Sequence, residues 1–127
     1  MEPVRTRIVV DLSDRRASVY RWGRLALRAR VAVGAPATPT PVGRFYVNER
    51  FVLSSPNGPF GVAALGISAH SNVLRDWVQG GPIGLHGTNE PASIGQAASH
   101  GCIRLENGDM SRVFRLAPAG TPVVIRP

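Results

Sequence analysis

The residues best suited to covalent chemistry lie around Cys102, the only cysteine of the chain. His100 precedes it by two positions, and His86 lies further upstream. A thiol is mostly protonated at neutral pH, so a nucleophilic cysteine needs a neighbouring base such as histidine. Gly101 leaves the backbone beside the sulfur open to a substrate, and successive N–H groups in such a turn can converge on an oxyanion. The pattern therefore predicts a cysteine nucleophile assisted by histidine.

Two other interpretations of these residues remain open at this point. A single cysteine is more often a small buried apolar residue than a nucleophile. Alternatively, His86, His100 and Cys102 could be three zinc ligands that leave the fourth position open for catalysis. No acidic residue stands at a customary ligand spacing, and His100 lies closer to Cys102 than the two ligands of a CxxC-type site lie to each other. We therefore expect no metal and no cofactor.

The elements that must position these residues are predicted to be mainly β-strands. In residues 25–33, apolar side chains alternate mostly with arginine, which is typical of a strand with one buried face. Polar turns at 13–16 and 22–24 join the first three strands. The predicted strands cover residues 6–12, 17–22, 25–33, 44–54, 62–68, 82–86 and 121–125.

One segment after Cys102 has the pattern of a helix. Asn107 can cap its N-terminus, and Pro118 ends it. Its apolar face is predicted at Met110, Val113, Phe114 and Ala117. The stretch 69–81 is expected to be a surface loop with a helical turn around 73–78, and we assign no chemistry to His70.

The length of 127 residues fits a single domain over residues 1–127. All 15 basic residues are arginine, and with eight acidic residues they give a net charge of +7, which favours an anionic partner such as nucleic acid, acidic lipid or an acidic wall polymer. The arginines are scattered and aromatic residues are few, so we expect no nucleic-acid binding. We also expect no membrane span and no export signal, because no apolar run has the length of either.

Five segments of the chain resemble the L,D-transpeptidase catalytic domain, also called YkuD. The most specific are LHGT at 85–88 and SHGCIRL at 99–105. Three further segments are similar to the parts of that domain that surround the site: TPTPVGRFYV (38–47), GPFGVAALGIS (58–68) and NGDMSRVFRLAPAGTPVVI (107–125). The resemblance implies a mixed β-sandwich with one principal helix after the catalytic cysteine, and a cleft under a lid.

The resemblance also implies a function in the bacterial cell wall. The family attacks the bond between the third and fourth residues of a peptidoglycan stem tetrapeptide, releases D-Ala, forms a cysteine thioester and passes the acyl group to a side-chain amine, which gives a 3→3 cross-link. Hydrolysis by the same site, as an L,D-carboxypeptidase or cross-link amidase, is an alternative, and a non-catalytic wall-binding module is another. The implied location is extracytoplasmic, carbapenems are expected to acylate the cysteine, and we expect a monomer.

The resemblance further implies roles for individual residues. Cys102 corresponds to the nucleophile and His86 to the general base, and the carbonyl of Gly87 is expected to orient the imidazole. The N–H groups of Gly101 and Cys102 are expected to contribute to an oxyanion hole.

Three neighbouring residues are given supporting roles. We expect His100 to be structural or substrate-orienting, and Ser99 to bond the local turn. Arg104 has two equal interpretations, a clamp for a stem-peptide carboxylate or an internal salt bridge to Glu106 or Asp109.

Overall fold

A computed structural model describes residues 5–53, 57–70, 82–99 and 101–127 of the chain. The strands are β1 (Thr6–Asp11), β2 (Arg16–Arg21), β3 (Arg24–Arg30), β4 (Val33–Gly34), β5 (Gly43–Val52), β6 (Ala63–His70), β7 (Pro82–His86), β8 (Ala97–Ser99), β9 (Ile103–Arg104) and β10 (Pro122–Arg126). A single 3-10 turn (Pro91–Ser93) and one α-helix, α1 (Asn107–Leu116), complete the described elements. Within these residues no helix has the length and apolar character to cross a membrane.

Eight of the strands form one hydrogen-bonded sheet in the order β3-β2-β1-β10-β5-β6-β7-β9, and β4 pairs with β8. The sheet is mixed, because β1 runs parallel to β10 and β7 runs parallel to β9. The long strand β5 is shared: its first residues pair with β10 and its later residues with β6. Beyond β3, Ala32 exchanges two backbone hydrogen bonds of 2.9 Å with Arg104 of β9, so the two edges of the sheet meet and the sheet curls.

The core lies inside this curl, where apolar side chains from the two halves of the sheet meet in one cluster. In β1 the alternate side chains Thr6, Ile8 and Val10 are buried, whereas the buried face predicted for residues 25–33 is wrong at Leu25, which is 49% exposed. Helix α1 packs against β6 and β7 through Met110 and Val113, which confirms the predicted apolar face. The largest fully buried side chains from the sheet are Ile8, Val10, Val19, Val47, Leu65, Ile83, Leu85, Ile103 and Ile125.

The prediction of a mainly β domain with one helix after Cys102 is confirmed. The helix cap was predicted wrongly, because Glu106 occupies the cap position and Asn107 is the first helical residue. The predicted strand 25–33 is broken after Arg30, and the short strands β8 and β9 on either side of Cys102 carried no sequence signal. The expected helical turn at 73–78 lies outside the described residues, as does the side chain of His70.

Candidate active site

The parallel pairing of β7 with β9 brings the predicted catalytic residues together. Leu85 pairs with Ile103, and His86 pairs with Arg104. Cys102 stands one residue before β9, and a hydrogen bond from the Gly84 backbone acts on its thiol, which continues the same register by one step. Because alternate residues of a strand share a face, this register places the thiol diagonally across from the imidazole.

His86 is almost fully enclosed, with 5% of its surface exposed. Its Nδ1 lies 2.5 Å from the carbonyl oxygen of Gly87. A carbonyl can only accept a hydrogen bond, so Nδ1 carries the proton and Nε2 keeps a free lone pair. Burial, with a smaller contribution from the positive charge of Arg104, lowers the pKa of His86 to about 4. The imidazole is therefore neutral at physiological pH and in the tautomer that a general base requires.

Phe60 packs edge-on against His86, with 4.9 Å between the ring centroids and an interplanar angle of 87°. The contact encloses the imidazole on the side that faces a cavity of about 240 Å³. The cavity is lined by Phe51, Leu53, Phe60, Ala64, Gly84, Leu85 and His86. This apolar surface suits the aliphatic part of a ligand rather than a charged group.

Cys102 is also buried, with 9% of its surface exposed. Burial raises the pKa of its thiol, while the hydrogen bond from the Gly84 backbone and the charge of Arg104 act in the opposite direction. In the free protein the pair is therefore a neutral thiol beside a neutral imidazole. The positive charge of Arg104 acts to lower the pKa of the thiol, because a nearby cation favours the charged form of the sulfur.

Ser99 stabilises the turn that carries Cys102 through two hydrogen bonds. Its hydroxyl donates a 2.6 Å hydrogen bond to the carbonyl oxygen of Cys102 and accepts a 3.1 Å hydrogen bond from the N–H of Gly101. Gly101 has a φ of +120°, in the region that favours glycine. Its N–H faces Ser99, so it must exchange partners before it can bind an oxyanion. The part of the turn that His100 occupies lies outside the described residues.

Thr40, which belongs to a different segment of the chain, also stabilises this turn. Its hydroxyl donates a 2.7 Å hydrogen bond to the carbonyl oxygen of Gly101 and accepts a 2.9 Å bond from the N–H of Gly34. The side chain is buried, with 5% exposed. Sequence reasoning passed over Thr40, although it stands within the segment 38–47 that resembled the family.

Asn107 supports the histidine side of the site. Its side-chain oxygen accepts hydrogen bonds from the N–H groups of Val62 at 3.3 Å and Thr88 at 3.2 Å. It thereby joins the first turn of α1 to the start of β6 and to the chain that leaves His86. A Cβ on Gly87 would lie only 2.2 Å from that oxygen. The residue that the sequence indicated as a helix cap instead holds the segment that orients the imidazole.

Arg104 forms an ion pair different from the two that were predicted. Its Nη1 lies 3.7 Å from Oε2 of Glu90, not against Glu106 or Asp109. The arginine side chain is 20% exposed and the Glu90 side chain 70% exposed. An exposed carboxylate is held weakly in such a pair, so an incoming anion can displace it.

The family model of the L,D-transpeptidase catalytic domain, YkuD, matches residues 5–125. The chain belongs to this family. It is 39% identical over 121 residues to YkuD of Bacillus licheniformis, and the match covers 95% of this chain and 66% of that protein.

Among solved structures, a mutant of the Enterococcus faecium L,D-transpeptidase has a TM-score of 0.75 at 28% identity, covering 95% of this chain and 49% of that one. The Ldtfm–avibactam carbamoyl enzyme has a TM-score of 0.74 at 28% identity, covering all of this chain and 50% of that one. The chain thus spans just under two thirds of the curated relative and about half of the two solved chains.

The alternative zinc site includes His100, so it cannot be assembled from the described residues alone. Among those residues no group of three or more His, Cys, Asp or Glu side chains is placed to hold a metal ion.

Proposed function

We propose that this domain is a cysteine acyltransferase that acts on peptidoglycan stem tetrapeptides. The observation that carries the proposal is the tautomer of His86, which leaves Nε2 unprotonated on the strand that flanks Cys102. Family membership supports the reaction class, and the avibactam carbamoyl form of a relative supports covalent chemistry at such a site.

The proposed reaction has two half-steps. In the first, Nε2 of His86 takes the thiol proton, the sulfur attacks the carbonyl carbon of the third stem residue, and the proton passes to the amine of the departing D-Ala. In the second, a side-chain amine of another stem attacks the thioester, loses a proton to His86 and forms the new amide. The thiol recovers that proton as it leaves, so the enzyme returns to its starting state.

The neutral resting state of Cys102 and His86 affects when the proton is transferred between them. A thiolate–imidazolium pair would place two charges in a buried site, and burial opposes both. We therefore expect the proton to move as the sulfur attacks the substrate carbonyl, not before the substrate binds. Arg104 lowers the pKa of the thiol and also that of the imidazole, so it favours the thiolate but not the imidazolium.

We further propose that Arg104 binds the terminal carboxylate of the donor peptide by displacing Glu90. The charge of Arg104 acts on the pKa values of both His86 and Cys102, and a carboxylate suits the bidentate geometry of a guanidinium. Arg104→Gln should raise KM for the tetrapeptide by about tenfold, since a charge-assisted hydrogen bond contributes roughly 1.5–3 kcal/mol. Glu90→Gln is the matched control and should leave KM unchanged or lower it. Equal KM changes in the two variants would show that the ion pair is only structural.

Intact-protein mass spectrometry tests the nucleophile. After incubation with a carbapenem, the wild-type protein should gain the mass of one drug molecule, and Cys102→Ala should gain none. Absence of an adduct on the wild-type protein, together with no consumption of tetrapeptide, would favour the wall-binding module and contradict the proposal.

The products formed from a disaccharide tetrapeptide identify the acceptor. A joined dimer that has lost one D-Ala supports transfer to an amine. A tripeptide that has gained water supports the hydrolase alternative. Since the proposed substrate is wall material, we place the activity outside the cytoplasm.

A further inference from the structure

The turn between β2 and β3 has an unusual residue at its tip. Trp22 and Gly23 form a two-residue hairpin loop in which both φ angles are positive, at 55° and 77°. Such a loop favours Asn-Gly, because a bulky side chain is strained in the left-handed region. Trp22 is nevertheless there, and 66% of it is exposed. A tryptophan in the left-handed region is strained, and most of this indole is not buried in the core, which points to a role at the surface.

The side chains beside Trp22 are apolar or positively charged. The guanidinium of Arg5 lies over the indole at 4.3 Å, and that of Arg7 lies over the ring of Tyr20 at 5.0 Å. Cross-strand pairing puts Arg7, Tyr20 and Leu25 in one row, and Leu25 is 49% exposed. We call this surface the β2–β3 tip patch; its members are Arg5, Arg7, Tyr20, Trp22, Leu25 and Arg28.

The charge of the chain is distributed unevenly around this patch. The sequence holds no acidic residue between Asp14 and Glu49, and Asp11 and Asp14 belong to the other end of the β1–β2 pair. Arg28 is in the next row of the same face, where it bonds Ser18. Among the described residues, the tip patch therefore combines cations with exposed apolar side chains and includes no acidic side chain.

We propose that the β2–β3 tip patch docks on the surface of an anionic lipid bilayer. Arginines meet lipid phosphates there, and an indole is well suited to the interface between headgroups and acyl chains. A dissolved polyanion would contact the arginines but would leave Trp22 and Leu25 in water. The lipid surface is therefore the partner that accounts for both kinds of side chain.

Vesicle flotation with the full chain tests the proposal without any peptide substrate, so its outcome is independent of the proposed enzymatic function. Vesicles of about 30% phosphatidylglycerol in phosphatidylcholine should retain the protein, and pure phosphatidylcholine should not. Binding should weaken when salt rises from about 0.1 to 0.5 M, because exposed charges are then screened. Equal retention by both kinds of vesicle, or by neither, would overturn the proposal.

Trp22→Asn separates docking from folding. Asparagine tolerates the left-handed turn, so the melting temperature should hold or rise. Vesicle affinity should fall by about tenfold, because the variant has no indole to bury in the bilayer. Val42→Asn, which removes a 55% exposed apolar residue near the far end of β10, should leave binding unchanged. If both variants bind like the wild-type protein, the tip does not dock.

Two arginine substitutions test the electrostatic part. Arg7→Gln and Arg28→Gln should each lower vesicle affinity by about fivefold, whereas Arg112→Gln, exposed on α1, should not. Two results would contradict a lipid surface and assign the patch to another partner. The first is binding of a soluble phosphodiester polymer without binding of vesicles. The second is a concentration-dependent dimer that Trp22→Asn abolishes, again without binding of vesicles.

Discussion

The buried His86 should make the stability of this domain depend on pH in a window that can be calculated. Its pKa is about 4 in the folded protein and 6.5 as the reference value of an exposed histidine. Each pKa unit corresponds to about 1.4 kcal/mol. The free energy of unfolding therefore decreases by about 3 kcal/mol as the pH falls through this interval. The sign follows from proton uptake: between pH 6.5 and 4 the unfolded state holds the extra proton, so stability is complete above pH 6.5 and declines toward pH 4.

The substitution that isolates this effect is His86→Gln, because glutamine does not titrate. Urea unfolding followed by circular dichroism at several pH values between 4 and 8 gives the free energy of unfolding for both proteins. The difference between wild-type and variant should change by about 3 kcal/mol between pH 7 and 4. All other titrating groups are common to the two proteins, and the lost hydrogen bond to Gly87 shifts the variant by a constant amount.

A difference that stays constant across this range would show that His86 is not a buried neutral imidazole. The mechanism proposed above would then lose its support, since Nε2 must be unprotonated before it can take the proton of Cys102. The same pKa predicts an acid limb of kcat/KM near pH 4 rather than near 6.5, provided that the free protein determines that limb.

Three further substitutions test the supports of the site. Asn107→Ala leaves the N–H groups of Val62 and Thr88 without this acceptor. It should lower the free energy of unfolding, measured in urea, by about 2–4 kcal/mol. It should also lower kcat, and Asn107→Asp should restore part of that loss. Thr40→Val keeps the volume but removes two hydrogen bonds, so it should cost about 1–3 kcal/mol; an unchanged urea midpoint would contradict this role. Gly101→Ala should lower stability by about 1–3 kcal/mol through strain at φ +120°, and a neutral result in thermal melts would show that the turn can relax.

Sequence reasoning succeeded where a residue's environment is set by regular alternation. The period-two pattern of β1 to β3 identified strands whose bounds differ from the prediction by a residue or two, up to the break after Arg30. The apolar face of α1 was readable for the same reason. The family resemblance supplied the roles of Cys102 and His86, which remain predictions, and the hydrogen bond between His86 and Gly87 that the resemblance implied is present.

The failures have two physical causes. Strands of two or three residues carry too few positions to show a period, so β8 and β9 were invisible in the sequence. Polar side chains have several local uses, and spacing alone cannot tell which one is realised. Asn107 looked like a helix cap because caps are the usual use of asparagine before an apolar stripe, but its oxygen reaches two segments remote in sequence. The partner of Arg104 was mistaken for the same reason, since Glu90 is brought near only by the fold.

The shortness of those strands explains how the site is held together. Cys102 stands beside a strand of two residues, and a ladder that short supplies few hydrogen bonds to fix a reactive side chain. Three further side chains restrain the positions of Cys102 and His86, each through two hydrogen bonds with the backbone: Ser99, Thr40 and Asn107. A thiol and an imidazole on facing strands need their geometry held to a fraction of an ångström. Substitutions at these three supporting residues should therefore reduce activity by more than their effects on stability would suggest.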